Sequence, residues 1–139
     1  MDNLRTCLAF FSAFEDSNIE RMITLCTQDA VIDFEPFGDS FSGTVEGIGR
    51  IVWTAFIESF PDMKVTLQDI SWNGTGTVAH CAITIRGTQL YPFIGIAKTG
   101  RNLSILQQFY LEFDLESKIK VIRVRWNHED FVKQLTQET

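Results

Sequence analysis

Residues 103–113 read Leu-Ser-Ile-Leu-Gln-Gln-Phe-Tyr-Leu-Glu-Phe, with large apolar side chains at alternate positions. Successive side chains of a β-strand point to opposite faces of a sheet, so the odd-numbered residues of this stretch share one face. Gln107 is the only polar residue on that face. The alternation therefore predicts a half-buried strand whose apolar side carries a single amide.

Three further stretches alternate in the same way, namely residues 63–72, 76–86 and 118–128. Turn residues separate them, and Asn73-Gly74 in particular predicts a tight hairpin. His80 falls on the opposite phase from the apolar side chains of its strand, as do Arg123 and Arg125 on the last strand. These side chains are expected on the outer face of the sheet, where the arginines could pair with acids across a dimer.

The chain before Pro61 has helical spacing instead. Apolar residues recur every three or four positions over residues 3–15, 19–25 and 45–59, whereas residues 30–35 have the composition of a strand. The sequence contains no internal repeat and no linker rich in Pro, Gly or Ser, so residues 1–139 are expected to form a single domain. Helices followed by strands predict an α+β fold in which three N-terminal helices pack on one curved, mainly antiparallel sheet.

Composition limits the functional classes. The 139 residues are 45% hydrophobic, which suffices for one core and excludes global disorder. The net charge of −6 and the lack of a Lys/Arg cluster argue against nucleic acid as a partner. No apolar run approaches the roughly 18 residues of a membrane-spanning helix, and the N-terminus lacks the pattern of a signal peptide.

The cysteines and histidines bear on compartment and metals. Three cysteines without paired spacing predict reduced thiols and a cytoplasmic protein. There are only two histidines, and the cysteines lack zinc-ligand spacing, so no metal site is expected.

Several short motifs resemble those of the SnoaL-like polyketide cyclases, a family of the NTF2-like superfamily. Phe60-Pro61-Asp62 resembles the family's FPD entry to the sheet, and residues 86–101 resemble its GTH…FLGIPPTGR element. Arg125-Trp126-Asn127, followed by Asp130, is similar to its HWD…D close. The resemblance covers residues 5–135. It implies a cone of helices on a bent sheet that encloses one apolar pocket and commonly forms a homodimer through the sheet.

This superfamily hosts many activities, so the candidate site residues have to be considered individually. Residues 33–38 also look like the VEDPVG turn of the more distantly similar ketosteroid isomerases, and Glu35 matches their base. A carboxyl group surrounded by phenylalanines has a raised pKa and can move a proton next to a carbonyl. The alternative is a strand-end carboxylate in water or paired with an arginine. Phe10 and Phe109 match the two oxyanion donors of those isomerases and cannot donate, so plain steroid isomerisation is not expected.

The SnoaL-like cyclases carry an aspartate on the central strand and a histidine in the GTH element. Gln89 stands at the histidine position, and the nearest polar residues to the aspartate are Gln107 on the pocket face and, one step out of phase, Gln108. A glutamine cannot shuttle protons, although it can hold a carbonyl or hydroxyl group. His128 falls on the inward phase of the last strand and could form an acid–base pair with Glu35. The alternative for His128 is a rim histidine in water, and for Gln107 an amide that faces solvent or an interface.

Aromatic residues from helices, strands and the 88–100 connection could surround a flat polycyclic or terpenoid ligand, although each could also simply pack the core. The candidates for this substrate-binding role are Trp53, Phe56, Tyr91, Phe93, Phe109 and Trp126, with Gln89. The glycines of the 88–100 segment suggest a lid.

The favoured hypothesis is a cofactor-independent acid–base cyclase or isomerase of an apolar polyketide- or terpenoid-type carbonyl compound, with Glu35, His128 and Gln107 in its site. A non-catalytic ligand-binding or dimerisation module is the main alternative. A hydrolase or dehydratase that uses the same pocket is a lesser one.

Overall fold

The computed structural model of the chain describes residues 2–136, which form one sheet and its covering helices. In chain order the elements are α1 (Asn3–Glu15), α2 (Ile19–Thr24), β1 (Cys26–Phe34), β2 (Ser42–Thr44), α3 (Arg50–Ser59), β3 (Lys64–Trp72), β4 (Val78–Thr88), β5 (Asn102–Phe113), β6 (Ile119–Arg125) and α4 (His128–Thr136). A 3₁₀ turn, Glu35–Phe37, follows β1, and a π-helical turn, Val45–Gly49, leads into α3. No helix in residues 2–136 is long and apolar enough to cross a membrane.

The six strands lie in the order β2-β1-β6-β5-β4-β3. All neighbours are antiparallel except β1 and β6, which run parallel with Phe34 opposite Val124. The mainly antiparallel sheet predicted from the alternation is therefore confirmed. The predicted hairpin between β3 and β4 is also present, because the Asn73 side chain accepts hydrogen bonds from the backbone of Thr77 and Val78.

The strand alternation separates two faces of the sheet. The odd-numbered residues of β5 from Leu103 to Phe113 are at most 3% exposed, and they point towards α1 and α3 on what we call the inner face. On the opposite, outer face, Leu106 is 48% exposed. Because one face is buried and the other faces solvent, a shift of the strand register by one residue would expose all the apolar side chains of the inner face.

The helices close the inner face with aromatic side chains. The Asp2 side chain caps α1 by accepting from the backbone amide of Arg5, and Phe10, Phe11 and Phe14 point from that helix into the core. Before α3, a side chain in place of Gly49 would lie 3.2 Å from the Trp53 ring. This glycine therefore lets the indole lie close against the turn that begins α3.

The C-terminal part differs from the sequence-based expectation. Strand β6 ends at Arg125, and a fourth helix, α4, begins at His128. The placement of His128 on the last strand is therefore wrong, whereas Trp126 does turn inward and is 9% exposed. Asn127 ends the strand because its side chain accepts from the backbone amide of Asp130, as helix-capping residues do.

Candidate functional site

The volume between the helices and the inner face is filled by aromatic rings. Around Phe10, the Trp53 ring lies 5.6 Å away and the Phe109 ring 6.3 Å away, both roughly edge to face. A second group lies at the open end of the sheet and is called the mouth here; its members are Phe37, Phe93, Trp126, His128 and Phe131. The Phe56 ring packs against this second group, since it contacts Phe93 at 4.5 Å and Trp126 at 6.4 Å.

Gln107 is the polar residue of this interior. Its side chain is 2% exposed between Ile105 and Phe109 on the inner face of β5. The amide nitrogen is buried and has no hydrogen-bond partner in the structure. A buried donor without a partner costs about 1–3 kcal/mol, so it is an unusual feature in an otherwise apolar core.

A second buried donor faces the same interior. The indole nitrogen of Trp53 has no hydrogen-bond partner, although the residue is 1% exposed. Trp53 lies on α3 and packs against Phe10 and Phe34. The sequence predicted an aromatic side chain lining the interior at this position, but not an indole N–H without a hydrogen-bond partner.

At the mouth, the Trp126 indole donates a hydrogen bond to Nδ1 of His128 over 3.1 Å. The neutral imidazole therefore carries its own proton on Nε2. Burial lowers the pKa of His128, because Phe37 and Phe131 flank its ring at 5.3 and 5.7 Å. The side chain is thus a neutral donor at the rim rather than a cation.

Glu35 lies near the mouth, but its carboxylate is held at the outer side. It forms an ion pair with Arg125, which projects from the outer phase of β6 and lies over the Tyr110 ring. The expected wall of phenylalanines around the carboxylate is not found, because the 3₁₀ turn directs Phe37 rather than Glu35 into the mouth. Arg125 pairs within its own chain, which is the arginine-paired alternative considered for Glu35.

Gln89 holds the connection between β4 and β5 in place through side-chain hydrogen bonds. Its side chain is fully buried, donates to the Ile96 carbonyl over 3.0 Å and accepts from the Thr99 hydroxyl. Both ends of the amide are thus occupied by the 88–100 segment. Ser59 adds a further tie, since its hydroxyl donates to the Pro92 carbonyl.

The same connection carries two of the predicted aromatic residues to different places. Phe93 is fully buried in the mouth, where it contacts Phe56, Phe60 and Phe131. Tyr91 is 58% exposed beside a surface cavity of about 430 Å³. Phe93 therefore belongs to the aromatic interior, whereas Tyr91 lies outside it.

The structure thus brings together Trp53, Phe56, Gln107, Phe109 and Trp126 in one buried core, with Phe93 and His128 at its end. Phe37 and Phe131 join them, and the sequence reading did not single out either residue. The spacing of Phe131 and Leu135 on one helical face was the available signal for α4 and hence for Phe131.

The outer face carries a separate polar group. His80 stacks on Tyr110 with ring centroids 4.6 Å apart, and its Nε2 lies 3.2 Å from the Gln108 side-chain oxygen. These residues match the predicted outer phase. Within residues 2–136 no group of three or more His, Cys, Asp or Glu side chains could hold a metal ion.

The chain is similar to known proteins in sequence pattern and in fold. A family model described as a SnoaL-like domain matches residues 8–122. No curated protein sequence matches the chain significantly.

Solved structures share the fold along almost the whole chain. A candidate SnoaL-like polyketide cyclase from Jannaschia sp. CCS1 has a TM-score of 0.83 at 14% identity, covering 99% of this chain and 93% of its own. A candidate polyketide cyclase from Pseudomonas putida KT2440 has a TM-score of 0.79 at 19% identity, covering 98% and 99%. IdmH, a candidate polyketide cyclase from Streptomyces antibioticus, has a TM-score of 0.78 at 24% identity, covering 96% and 98%.

Similarity at these identities shows a common fold, the NTF2-like cone that the motifs implied. The family model covers residues 8–122, which is most of the chain. The chain therefore belongs to the SnoaL-like domain family of the NTF2-like superfamily.

Proposed function

We propose that this protein binds an apolar polyketide- or terpenoid-type carbonyl compound in its aromatic interior and cyclises or isomerises it by acid–base chemistry without a cofactor. The observation that supports this most is the unpartnered, buried amide of Gln107 in an interior otherwise built from aromatic rings. A carbonyl oxygen would satisfy that donor, and the rings would stack on the rest of the ligand.

The first chemical step in this proposal is removal of a proton from the carbon next to the carbonyl. Glu35 is the proposed base: the C–H proton passes to its carboxylate and the electron pair moves onto the carbonyl oxygen, giving an enolate. His128 assists by donating a hydrogen bond from Nε2, since its Nδ1 accepts from Trp126. Ring closure or return of the proton at another carbon then completes the reaction.

This role of Glu35 has a structural requirement. In the structure Arg125 binds both carboxylate oxygens, so the carboxylate has to leave Arg125 and turn towards the mouth when the ligand is bound. Glu35 begins the turn that places Phe37 5.0 Å from Trp126, and this nearness to the mouth supports the proposed rotation. Ligand entry also requires Phe93 to move, because its ring fills the mouth.

Deuterium exchange tests the proposal without knowledge of the natural substrate. The protein is incubated with 1-tetralone in D₂O, and loss of the ketone's C2 proton signal is followed by NMR for the wild type, Glu35→Gln, His128→Gln and Arg125→Met. Arg123→Met, a change of the neighbouring outer-face arginine, serves as the control. We expect the wild type to accelerate exchange and Glu35→Gln to reduce the acceleration by roughly 100-fold or more, the usual contribution of a general base.

The variants distinguish the roles. Arg125→Met should release Glu35 and raise the rate, whereas Arg123→Met should leave it unchanged. A rate that is unaffected by Glu35→Gln would show that Glu35 is not the base. No acceleration by the wild type, with tetralone bound, would favour the non-catalytic alternative.

That alternative, a module that only binds an apolar ligand, has one observation in its favour. The buried polar residues among positions 2–136 are Thr6, Ser59, Gln89 and Gln107, and none of these is an acid or a histidine. A binding protein needs no such group in its interior.

A second copy of this chain is the proposed protein partner. The outer face of the sheet exposes Leu106 and Val31, at 48% and 44%, and it also carries the stacked His80 and Tyr110. Burial of these side chains against a symmetric copy would remove them from water. The proposed compartment is the cytoplasm, where the three free thiols would stay reduced.

A further inference from the structure

We infer that the Trp53 indole and the Gln107 amide together form a site for one hydrogen-bond acceptor, and that this site selects neutral ligands with a carbonyl oxygen at the end that enters first. The inference rests on the proposed function, which places a ligand in the interior. It goes further by naming two donor atoms and the ligand chemistry that they require.

Both donors lie in the same aromatic core. From one side, Phe10 contacts both Trp53 and Phe109, and Phe109 lies two residues from Gln107 on the inner face of β5. From the other side, Phe56 lies one turn along α3 from Trp53 and contacts Trp126. Arg125 of β6 is paired with Gln108 of the antiparallel strand β5. Trp126 is the residue after Arg125, so Trp126 lies beside Gln107.

Both donors are also without a partner although they are almost fully buried. Most buried polar groups in proteins are hydrogen-bonded, because an unpaired one lowers the free energy of unfolding by about as much as a typical destabilising point substitution. A single unpaired donor could be incidental. Two in one apolar volume, on facing elements, are accounted for together by an acceptor that arrives with a ligand.

The surroundings restrict the charge of that acceptor. No cationic side chain is buried among residues 2–136, so an anionic ligand would lose its hydration without gaining a counter-ion. A hydrocarbon would leave both donors unpaired. A ketone or quinone carbonyl accepts two hydrogen bonds without carrying charge, and it therefore fits best.

The donor pair would also replace two hydrogen-bond donors that ketosteroid isomerases have and this chain lacks. Phe10 and Phe109 match the positions of two oxyanion donors in ketosteroid isomerases, and neither can donate. Trp53 contacts Phe10, and Gln107 lies two residues from Phe109. Two neutral donors at the carbonyl oxygen would stabilise an enolate formed there, which is the role that the phenylalanines cannot fill.

A matched pair of probes tests the inference. Fluorene and 9-fluorenone have nearly the same shape and differ by the carbonyl oxygen. Their dissociation constants are measured by calorimetry for the wild type, Trp53→Phe and Gln107→Met. The controls are Trp72→Phe, on the exposed edge strand β3, and Gln108→Met, on the outer face. Comparing the ratio of the two constants between proteins cancels the different hydration of the probes.

We expect the preference for fluorenone to fall roughly 5-fold in each of the two interior variants, as for the loss of one hydrogen bond, and to stay unchanged in the controls. In the wild type, fluorenone but not fluorene should move the Trp53 indole proton signal downfield, with the three tryptophan signals assigned by Trp→Phe variants.

Three results would overturn the inference, and they differ in what they leave standing. An unchanged preference in both interior variants would leave the interior as a ligand site without this donor pair. A long-lived water that contacts the Trp53 indole proton and persists with fluorenone bound would show that water is the partner. Binding of neither probe would contradict the proposed function as well.

Discussion

Gln107 shows how a single residue can reduce stability in favour of a site. Its buried, unpaired amide nitrogen should destabilise the free protein. We predict that Gln107→Met, which fills the same volume without a donor, raises the free energy of unfolding by about 1 kcal/mol and the Tm by roughly 2–4 °C. Thermal unfolding of the free protein measures this. Gln108→Met is the matched control and should not stabilise, since Gln108 is hydrogen-bonded to His80; an unstabilised Gln107→Met would mean that the amide has a partner.

His128 gives the protein a pH dependence with a definite sign. Burial lowers its pKa in the folded state, so the unfolded chain binds the proton more readily. Stability from this group is complete above the unfolded value of about 6.5 and is lost as the pH falls towards the lower folded value. We therefore predict that the urea midpoint falls between pH 7 and pH 5 by more in the wild type than in His128→Gln. Equal slopes for the two proteins would contradict this placement of the ring.

At the scale of elements, α4 closes the mouth through one side chain. Phe131 is fully buried and contacts Phe56, Phe93 and Trp126. We predict that Phe131→Ala costs about 3–5 kcal/mol of folding free energy, as large deletions in aromatic cores do. Denaturant unfolding measures the loss, and Lys133→Ala on the exposed side of α4 should change stability by less than about 0.5 kcal/mol. A cost for Phe131→Ala as small as that of the control would show that α4 does not pack as described.

The 88–100 connection depends on Gln89 in a similar way. The two side-chain hydrogen bonds of Gln89 join the ends of this segment, so Gln89→Met should loosen it while keeping the buried volume. We predict faster hydrogen exchange at the backbone amides of residues 93–100 and no change in β5. Protection that stays at the wild-type level would show that Ser59 and Phe93 hold the segment without Gln89.

The sequence predicts the sheet better than it predicts the rim of the site. Alternation in β4 and β5 is a period-two signal over more than ten residues, so strand, face and burial follow from it directly. Glu35 and His128 lie where regular elements end, and there a single turn decides which side chain points inward. The 3₁₀ turn after β1 and the Asn127 cap of α4 are local effects that alternation does not encode. The unpaired donors depend on three-dimensional packing and could not be read from the sequence.

At the scale of the whole molecule, the proposed dimer would bury the outer face of the sheet. If a second copy covers Leu106, a charge at that position would be buried without a partner. We predict that the wild type sediments as a dimer and that Leu106→Glu sediments as a monomer with unchanged circular dichroism. Lys98→Glu, a change outside the sheet, is the control. A monomeric wild type would contradict the proposed partner.

The proposed ligand enters the interior of the cone and not one of the surface cavities, and the strand alternation allows a direct test of this. The measurement is of intermolecular NOEs between bound 9-fluorenone and the assigned methyl groups of the protein. The inner face offers Ile83 and Ile85, which are fully buried on β4. Two surface cavities of the sheet are lined in part by Val78 and Val121 and by Leu106. We predict NOEs to the two isoleucines and none to the three outer residues. NOEs to the outer residues alone would show that the ligand site lies on the sheet surface and would contradict the account.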